Sequence, residues 1–446
     1  MEKSPESLAQ EIASMREQLS KVSEAIDAYE SVATQNLAPK NIQSKGAISQ
    51  KHVELFMETD RLVRKVRGPV DMVFSNFENS VHAGTLRAVL EMGVFDALPT
   101  DDSSSSATAL AEKLGVEKEL LVRFMRVLTT VGPFAETGEE EYAHTPYSMV
   151  YMAPELRGIF KLMSGNQLHH SPFHSLPKCF TNHQYFILTQ INRFDEYNLA
   201  NARMYEFFRK NGFKSPDDHL LNPYCFAHQT GEKNMWEHIG AFPERFQNLN
   251  LAMIAQTVAT NWTVGIFPFE DELKEVESND ETVLVVDIGG GSGHVTKQIM
   301  EFVKEIPGKV VLQERDELID AIGHTIPEVE TMKYDFFTPQ PIKGAPIYYI
   351  RRCLHDWPDV DCVRILKVIA DAMAPEISRL VISEIVLPPI AADVEAGWMD
   401  LTMMTLSGRE RTEKQWVNLL TLSGLKLRKV HHGSGTNYAA VEAVLA

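Results

Sequence analysis

The N-terminal stretch carries a regular apolar stripe. Leu8, Ile12, Met15, Leu19, Val22, Ile26 and Tyr29 are spaced 4, 3, 4, 3, 4, 3, the a/d repeat of a helix that buries one seam. A seam of this length suits a helix packed on its own chain or one packed against a second subunit. The stretch from Leu37 to Ser49, LAPKNIQSKGAIS, reads as a linker. From about Phe74 to Met152 the pattern is helical with turns. Within it, residues 106–132 read as helix–turn–helix. Leu110, Ala111 and Leu114 form one apolar face and Leu120, Leu121, Met125 and Leu128 another, with Gly115 in the turn. The following PFAETGEEEYAHT has the pattern of a short β-hairpin, so the whole predicts a winged-helix-like module.

Residues 165–250 are rich in His, Phe, Tyr and Asn. His169, His170, His174 and His183 cluster there among Ser, Pro and Asn; without a fixed element to present them they read as a polar loop and not as a metal site. From about Glu281 the texture changes. VLVVDIG, KVVLQE, APIYYIRR and RLVISEIVL are apolar strand runs, separated by helical stretches such as VTKQIMEFVKEI and VRILKVIADAM. Strands alternating with helices predict a parallel, helix-flanked sheet. The resulting division is an N-terminal helix and linker at 1–50, a winged-helix-like module at 51–165, a helical connecting region at 166–265, and a Rossmann-like α/β domain at 266–446.

Composition narrows the partners. The 446 residues are 44% hydrophobic and 23% charged, which suits a globular protein and not a disordered one. Lys plus Arg total 43 against 61 for Asp plus Glu, a formal charge of -18, and so acidic a surface disfavours nucleic acid as a partner. The wing adds Glu139, Glu140 and Glu141, which favours a structural or dimerisation role over DNA binding. Cysteines at 179, 225, 353 and 362 form no C-x-x-C pair, so neither a zinc knuckle nor a disulfide framework is indicated. No apolar run is long enough to span a membrane and no signal-peptide core opens the chain; a reducing, cytosolic setting is the expectation.

Candidate chemistry concentrates in the α/β part. In VVDIGGGSGHV a strand ends at Asp287 and Gly289, Gly290, Gly291 and Gly293 lead into a helix, so the backbone can approach a ligand closely. His294 breaks the G-x-G-x-x-G spacing of a dinucleotide loop. Asp287 before the glycines is suited to a ligand ammonium group, and together these favour S-adenosylmethionine (SAM). Glu314, ending the next strand, can take ribose hydroxyls. Asp335 and Phe336, in YDFF after the third strand, suit an adenine pocket. His355, in LHDW, falls at the carboxyl end of a strand, the edge where open α/β sheets bind ligands, and imidazole accepts a proton near neutral pH.

The order DIGGGSG, QE, YDFF, LHDWPD, ISEIVLPP and GRERTEKQW resembles the class I SAM-dependent O-methyltransferases of the plant and fungal caffeic-acid and flavonoid type, from about residue 70 to the C-terminus. The resemblance implies that His355 is the general base and that Glu384 and Glu410 flank it. It implies that Asp287, Gly289, Gly291, Glu314, Asp335, Phe336 and Arg351 hold SAM, and that Met253, Trp398, Met403 and Met404 fall in regions lining the acceptor pocket. It also implies a homodimer, and no metal is required. Glu314 stands where Asp is commoner, followed by Arg315 and Asp316 in place of Leu-Pro, and the 165–205 region is longer than the family norm. The expected function is methylation of a phenolic or enolic hydroxyl in secondary metabolism. Fungal relatives that use bound SAM for dehydration or pericyclic rearrangement are the alternative, opposed by the presence of His355. A non-catalytic scaffold or winged-helix regulator is a third reading, opposed by the complete His355, Glu384 and Glu410 set.

Overall fold

The computed structural model describes residues 5–36, 42–101, 103–130, 132–153, 194–243, 245–246, 248–249, 252–253, 260–322, 326–390, 392, 394–433 and 436–446. The four histidines at 169–183 lie outside the described residues. The chain divides into two units. One comprises Met1–Leu37, Lys51–Asp195 and Pro243–Ala255; the other comprises Ala38–Gln50, Glu196–Phe242 and Gln256–Ala446. No helix among the described residues is long and apolar enough to cross a membrane.

Helix α1 (Pro5–Gln35) runs antiparallel to helix α2 (Ile42–Glu91), which belongs to the first unit from Lys51 onward. Lys65 donates to Ser14 Oγ at 2.8 Å, Gln18 donates to Glu58 Oε2 at 2.6 Å, and the Tyr29 ring stands 5.7 Å from His52. The apolar seam of α1 is therefore shared. Met15, Val22 and Tyr29 turn inward, whereas Leu8, which shares their heptad position, and Ile12, Leu19 and Ile26 at the other position remain exposed. The part of the seam that packs on its own chain is thus distinct from the part left exposed. The stretch expected as a linker is helical from Ile42 onward. Gly46 lies against the Trp262 ring, where an added Cβ would stand in ordinary contact at 3.5 Å. Helix α2 is interrupted at Gly68 (φ 71°, ψ 174°) ahead of Pro69, which lacks the N–H needed to continue the ladder.

The winged-helix pattern holds. Helix α3 (Ala107–Leu114) starts at Ser106, whose hydroxyl accepts from the Ala109 N–H, and stops at the left-handed Gly115. Helix α4 (Lys118–Thr130) buries Leu121, Met125 and Leu128; Leu120, expected on that face, is exposed, because a helix cannot aim adjacent residues at one neighbour. Strand β1 (Ser105–Ser106) pairs with β3 (Glu141–His144), which pairs with β2 (Phe134–Gly138). Lys118 on α4 is paired with Glu140 of the wing at 2.5 Å.

The second unit is built on an eight-stranded sheet. Its strands are β4 (Val283–Ile288), β5 (Lys309–Glu314), β6 (Glu330–Lys333), β7 (Ile347–Arg351), β8 (Arg379–Leu387), β9 (Arg411–Thr412), β10 (Leu425–His432) and β11 (Tyr438–Leu445). The order is 6-5-4-7-8-11-10, with β9 alongside β8; strands 6, 5, 4, 7 and 8 are parallel, and 11 and 10 close the edge as an antiparallel pair. Buried on both faces, the central strands read as continuous apolar runs. Val286, Ile288, Tyr348, Ile350, Leu380 and Ile382 face helix α6 (Asp359–Ala370) and helix α8 (Glu413–Leu422). Val285, Ile347, Tyr349 and Val381 face helix α5 (His294–Val303). Helix α7 (Val394–Met404) follows β8. The sheet order reverses between β4 and β7, so the loops leaving their carboxyl ends diverge and open a crevice there.

Candidate active site

The loop after β4 uses its glycines for different reasons. Gly289 (φ 70°) approaches Cys353 so closely that a Cβ would fall 2.8 Å from its Sγ, and at Gly290 a Cβ would meet Leu312 at 2.3 Å and Asp287 at 2.5 Å. Gly291 (φ 58°) differs: a Cβ there would meet nothing within 4 Å, so the backbone is exposed to open space. Asp287 lies beneath the loop, 1% exposed, and accepts from the Thr296 hydroxyl at 2.6 Å. Burial raises its carboxyl to about 6, with Thr296 and Arg351 opposing. Glu314, at the end of β5, accepts from the Gly291 N–H at 3.1 Å and from the Arg315 N–H at 2.8 Å; burial raises its pKa against those two donors. Beneath it Gln313 and Gln340 exchange two 2.8 Å hydrogen bonds, a buried pair that the sequence pattern did not disclose.

YDFF follows β6. Asp335 is exposed and accepts from the Phe337 N–H at 3.0 Å. Phe336, Phe337 and Trp357 form an aromatic cluster, with Trp357 edge-on to both phenylalanines at 6.2 and 5.0 Å. Open space at Gly291, a carboxylate at the end of β5 and an aromatic group after β6 fit a nucleoside-bearing cofactor. Arg351 is buried and donates to Thr260 Oγ1 at 2.7 Å and Thr263 Oγ1 at 3.2 Å; burial lowers its pKa.

His355 lies in a single 3-10 turn, Leu354–Asp356, just past β7. Its Nδ1 is 2.7 Å from Glu410 Oε1 and 3.6 Å from Glu384 Oε2. The two acids do different things. Glu384, on β8, accepts from the Cys353 and Leu354 N–H groups, each at 3.1 Å, and so shapes the turn. Glu410 contacts the imidazole itself: a carboxylate accepts, so Nδ1 carries the proton and Nε2 is left as the basic nitrogen. Both acids are almost wholly buried, and burial raises the Glu384 pKa while His355 opposes. Asp356, whose Oδ1 is 3.7 Å from His355 Nε2, is pushed up to about 7 by burial, again with His355 opposing.

This trio also offers three donor atoms within 4.8 Å of one another. The 2.7 Å separation of Nδ1 and Oε1 is a hydrogen-bond length. Two ligands of one tetrahedral ion at about 2.0–2.1 Å would stand roughly 3.3 Å apart, so the arrangement is that of an oriented imidazole.

Two residues outside the expected set hold this geometry. Arg411 is fully buried and donates to Leu354 O and Trp357 O, each at 3.0 Å, and to Asp359 Oδ1 at 2.8 Å. Gly408 packs against the turn, where a Cβ would lie 2.1 Å from His355 O. The only sequence signal for either was their place in GRERT beside Glu410. The acceptor-side expectations fall unevenly. Met403 is buried with Met399 and Tyr438, Trp398 packs partly buried against the same cluster, and Met404 is half-buried. Met253 belongs to the first unit and is exposed.

The sheet order and the loop after β4 define a class I methyltransferase fold. An O-methyltransferase domain model matches residues 227–426, and an O-methyltransferase dimerisation domain model matches residues 76–154. The chain belongs to the SAM-dependent O-methyltransferase family. O-methyltransferase kntB of Aspergillus niger is 37% identical over 406 residues, 91% of each chain. O-methyltransferase opaF of Aspergillus ustus is 38% identical over 394 residues, 88% of this chain and 87% of that protein. Among solved structures, OxaC in complex with SAH and oxaline superposes with a TM-score of 0.76 at 30% identity, covering 96% of this chain and 100% of that one. LepI in complex with SAM gives 0.73 at 23% identity over 95% and 100%, a likeness of fold alone.

Two outcomes follow from the geometry. Gly408→Ala should lower turnover about 10²-fold, because the added methyl meets main-chain atoms that cannot give way and displaces His355; titration with SAM should show cofactor affinity within about twofold of wild type. Asp356→Asn should gain stability relative to wild type as pH rises. The folded pKa of about 7 lies above the ordinary aspartate value of about 3.9, so the wild-type contribution is fully present below about pH 4 and is lost as pH climbs through 7. Urea midpoints of the two proteins at pH 5 and pH 8 should diverge in that direction.

Proposed function

We propose that the protein methylates a phenolic or enolic hydroxyl of a small natural product, with His355 as general base. The observation that carries this reading is the 2.7 Å contact between His355 Nδ1 and Glu410, which directs the basic lone pair to Nε2. In this mechanism His355 would remove the hydroxyl proton, the oxyanion would take the methyl carbon as its bond to the sulfonium sulfur breaks and S-adenosylhomocysteine leaves, and Glu410 would stabilise the imidazolium until the proton passes to solvent. Glu384 is a positioning residue that sets the turn. Bound SAM supplies a methyl carbon already activated by the sulfonium, so the protein's task is alignment. Gly289 and Gly291 would give backbone access to the cofactor, with Asp287 supporting the loop from below. Glu314 would take the ribose, Asp335 and Phe336 the adenine, and Arg351 would brace the neighbouring turn. Trp398, Met403 and Met404 remain our proposal for the acceptor side. Relatives named O-methyltransferase, among them a demethylsterigmatocystin 6-O-methyltransferase, and the OxaC complex with oxaline support a small-molecule acceptor in fungal secondary metabolism.

Incubation with methyl-labelled SAM and a panel of phenols and enolic polyketides tests the reading. Wild type should yield labelled product, and His355→Ala should lose about 10²–10⁴-fold in rate with SAM binding retained. Bound SAM with no label transferred, but an isomerised or dehydrated product, would instead establish rearrangement chemistry.

We further propose a homodimer, supported by the dimerisation-domain match and by the exposed line Leu8, Ile12, Leu19 and Ile26. Removing residues 1–35 should weaken it; an unchanged mass in sedimentation would count against that role.

A further inference from the structure

We propose that Arg352 is an acceptor-binding residue that holds the reacting oxygen as an anion, so that the enzyme takes hydroxyls acidified by conjugation. The inference rests on the methyltransferase reading above and deepens it.

The first observation is backbone strain. Arg352 follows the last residue of β7 and has φ 53°, a left-handed conformation that non-glycine residues seldom adopt. Its N–H still donates to Ser383 O at 3.2 Å, so pairing with β8 imposes the conformation. Positions held this way concentrate at functional sites.

The second is the side chain. It is half-buried, with Nη2 3.9 Å from Met399 Sδ and the guanidinium 6.0 Å from the centre of the Tyr438 ring. Among the described residues no carboxylate lies within ion-pair distance of it, whereas Arg351 is taken by Thr260 and Thr263, and Arg409 and Arg411 by Asp359. The Tyr438 hydroxyl is itself committed to Glu395 at 2.9 Å. An arginine withdrawn from water is ordinarily paired. Burial opposes the charge, but the carboxylates of Glu410, Glu395 and Glu384 offset it, and a guanidinium stays cationic.

The third is location. Glu395, Met399 and Met403 follow one another at four-residue spacing on α7 and share a face, and Met403 is among the residues expected on the acceptor side. Arg352 opens the turn that carries His355, three residues before it, and its guanidinium meets α7 at Met399. Proton transfer to His355 leaves an oxyanion on the acceptor, and a cation close to that oxygen lowers the pKa of the hydroxyl by about 1–3 units. A structural role, offsetting Glu384 and Glu410, would affect stability but not the ionisation of a bound phenol.

The test uses full-length wild type, Arg352→Met and Arg352→Lys, each saturated with S-adenosylhomocysteine and titrated with 4-nitrophenol across the pH range of its ionisation. Bound phenolate is read by absorbance and S-adenosylhomocysteine affinity by calorimetry. Wild type should lower the apparent pKa of the bound probe by about 1 unit or more. Arg352→Met should abolish that shift and bind the phenolate about tenfold more weakly, Arg352→Lys should keep part of it, and all three should hold S-adenosylhomocysteine equally. Wild type that binds S-adenosylhomocysteine but leaves the probe's ionisation unchanged, or does not take the probe, overturns the proposal. So does an Arg352→Met protein that shifts the probe as wild type does, or one that loses S-adenosylhomocysteine. Wild type unable to bind S-adenosylhomocysteine would overturn the methyltransferase reading itself.

Discussion

One buried guanidinium joins the two segments that meet at His355. Arg411 donates to the carbonyls of Leu354 and Trp357 and to the carboxylate of Asp359, spanning the turn after β7 and the start of α6, while its neighbour Glu410 reaches the imidazole. A short turn at a sheet edge has little secondary structure of its own, and its carbonyls need partners once buried. Arg411 supplies them, stacks over Trp416 at 5.2 Å, and fixes the register at which GRERT crosses LHDW. The orientation of His355 depends on that crossing.

The same economy governs the acids. Two carboxylates beside one imidazole would be costly to bury if both had only that partner. Glu384 Oε1 accepts from two backbone N–H groups, and its Oε2 faces His355 Nδ1 at 3.6 Å. Glu410 accepts the hydrogen bond from the imidazole Nδ1–H directly, and its own N–H donates to Asp400 on α7 at 2.9 Å. The strand after β7 thus shapes the turn, and the helix after β8 sets the acid that faces the ring.

Much of this was legible in the sequence, for physical reasons. Strands β4, β5, β7 and β8 are apolar throughout because they are buried on both faces, and their ends put Asp287, Glu314 and His355 at one sheet edge. The winged-helix module was visible because Ser106, Gly115 and the hydrophobic periodicity agree with one another. What escaped notice depends on distant partners. Nothing local distinguishes Gly408 from an ordinary loop glycine, or Arg411 from a surface arginine; only a main-chain atom 2.1 Å from an absent methyl, or three carbonyl and carboxylate oxygens around one side chain, does so. Ile42–Ser49 looked like a linker because its helix is supported from outside, by Trp262 against Gly46. The heptad pattern of α1 could not say which of its two positions faces its own chain.

The break at Gly68 and Pro69 has a consequence for the outer surface of the first unit. A continuous helix would present Val63, Val66, Val70, Val73, Phe74 and Val81 as one gently winding ribbon. One glycine at positive φ resets the angular phase, so the valines before the break and the Val70–Val81 group after it point along different azimuths. The exposed apolar surface of α2 is therefore faceted, two short planes meeting at an edge. A straight rod can lie flush on only one such plane at a time, and a body that covers both must itself be bent.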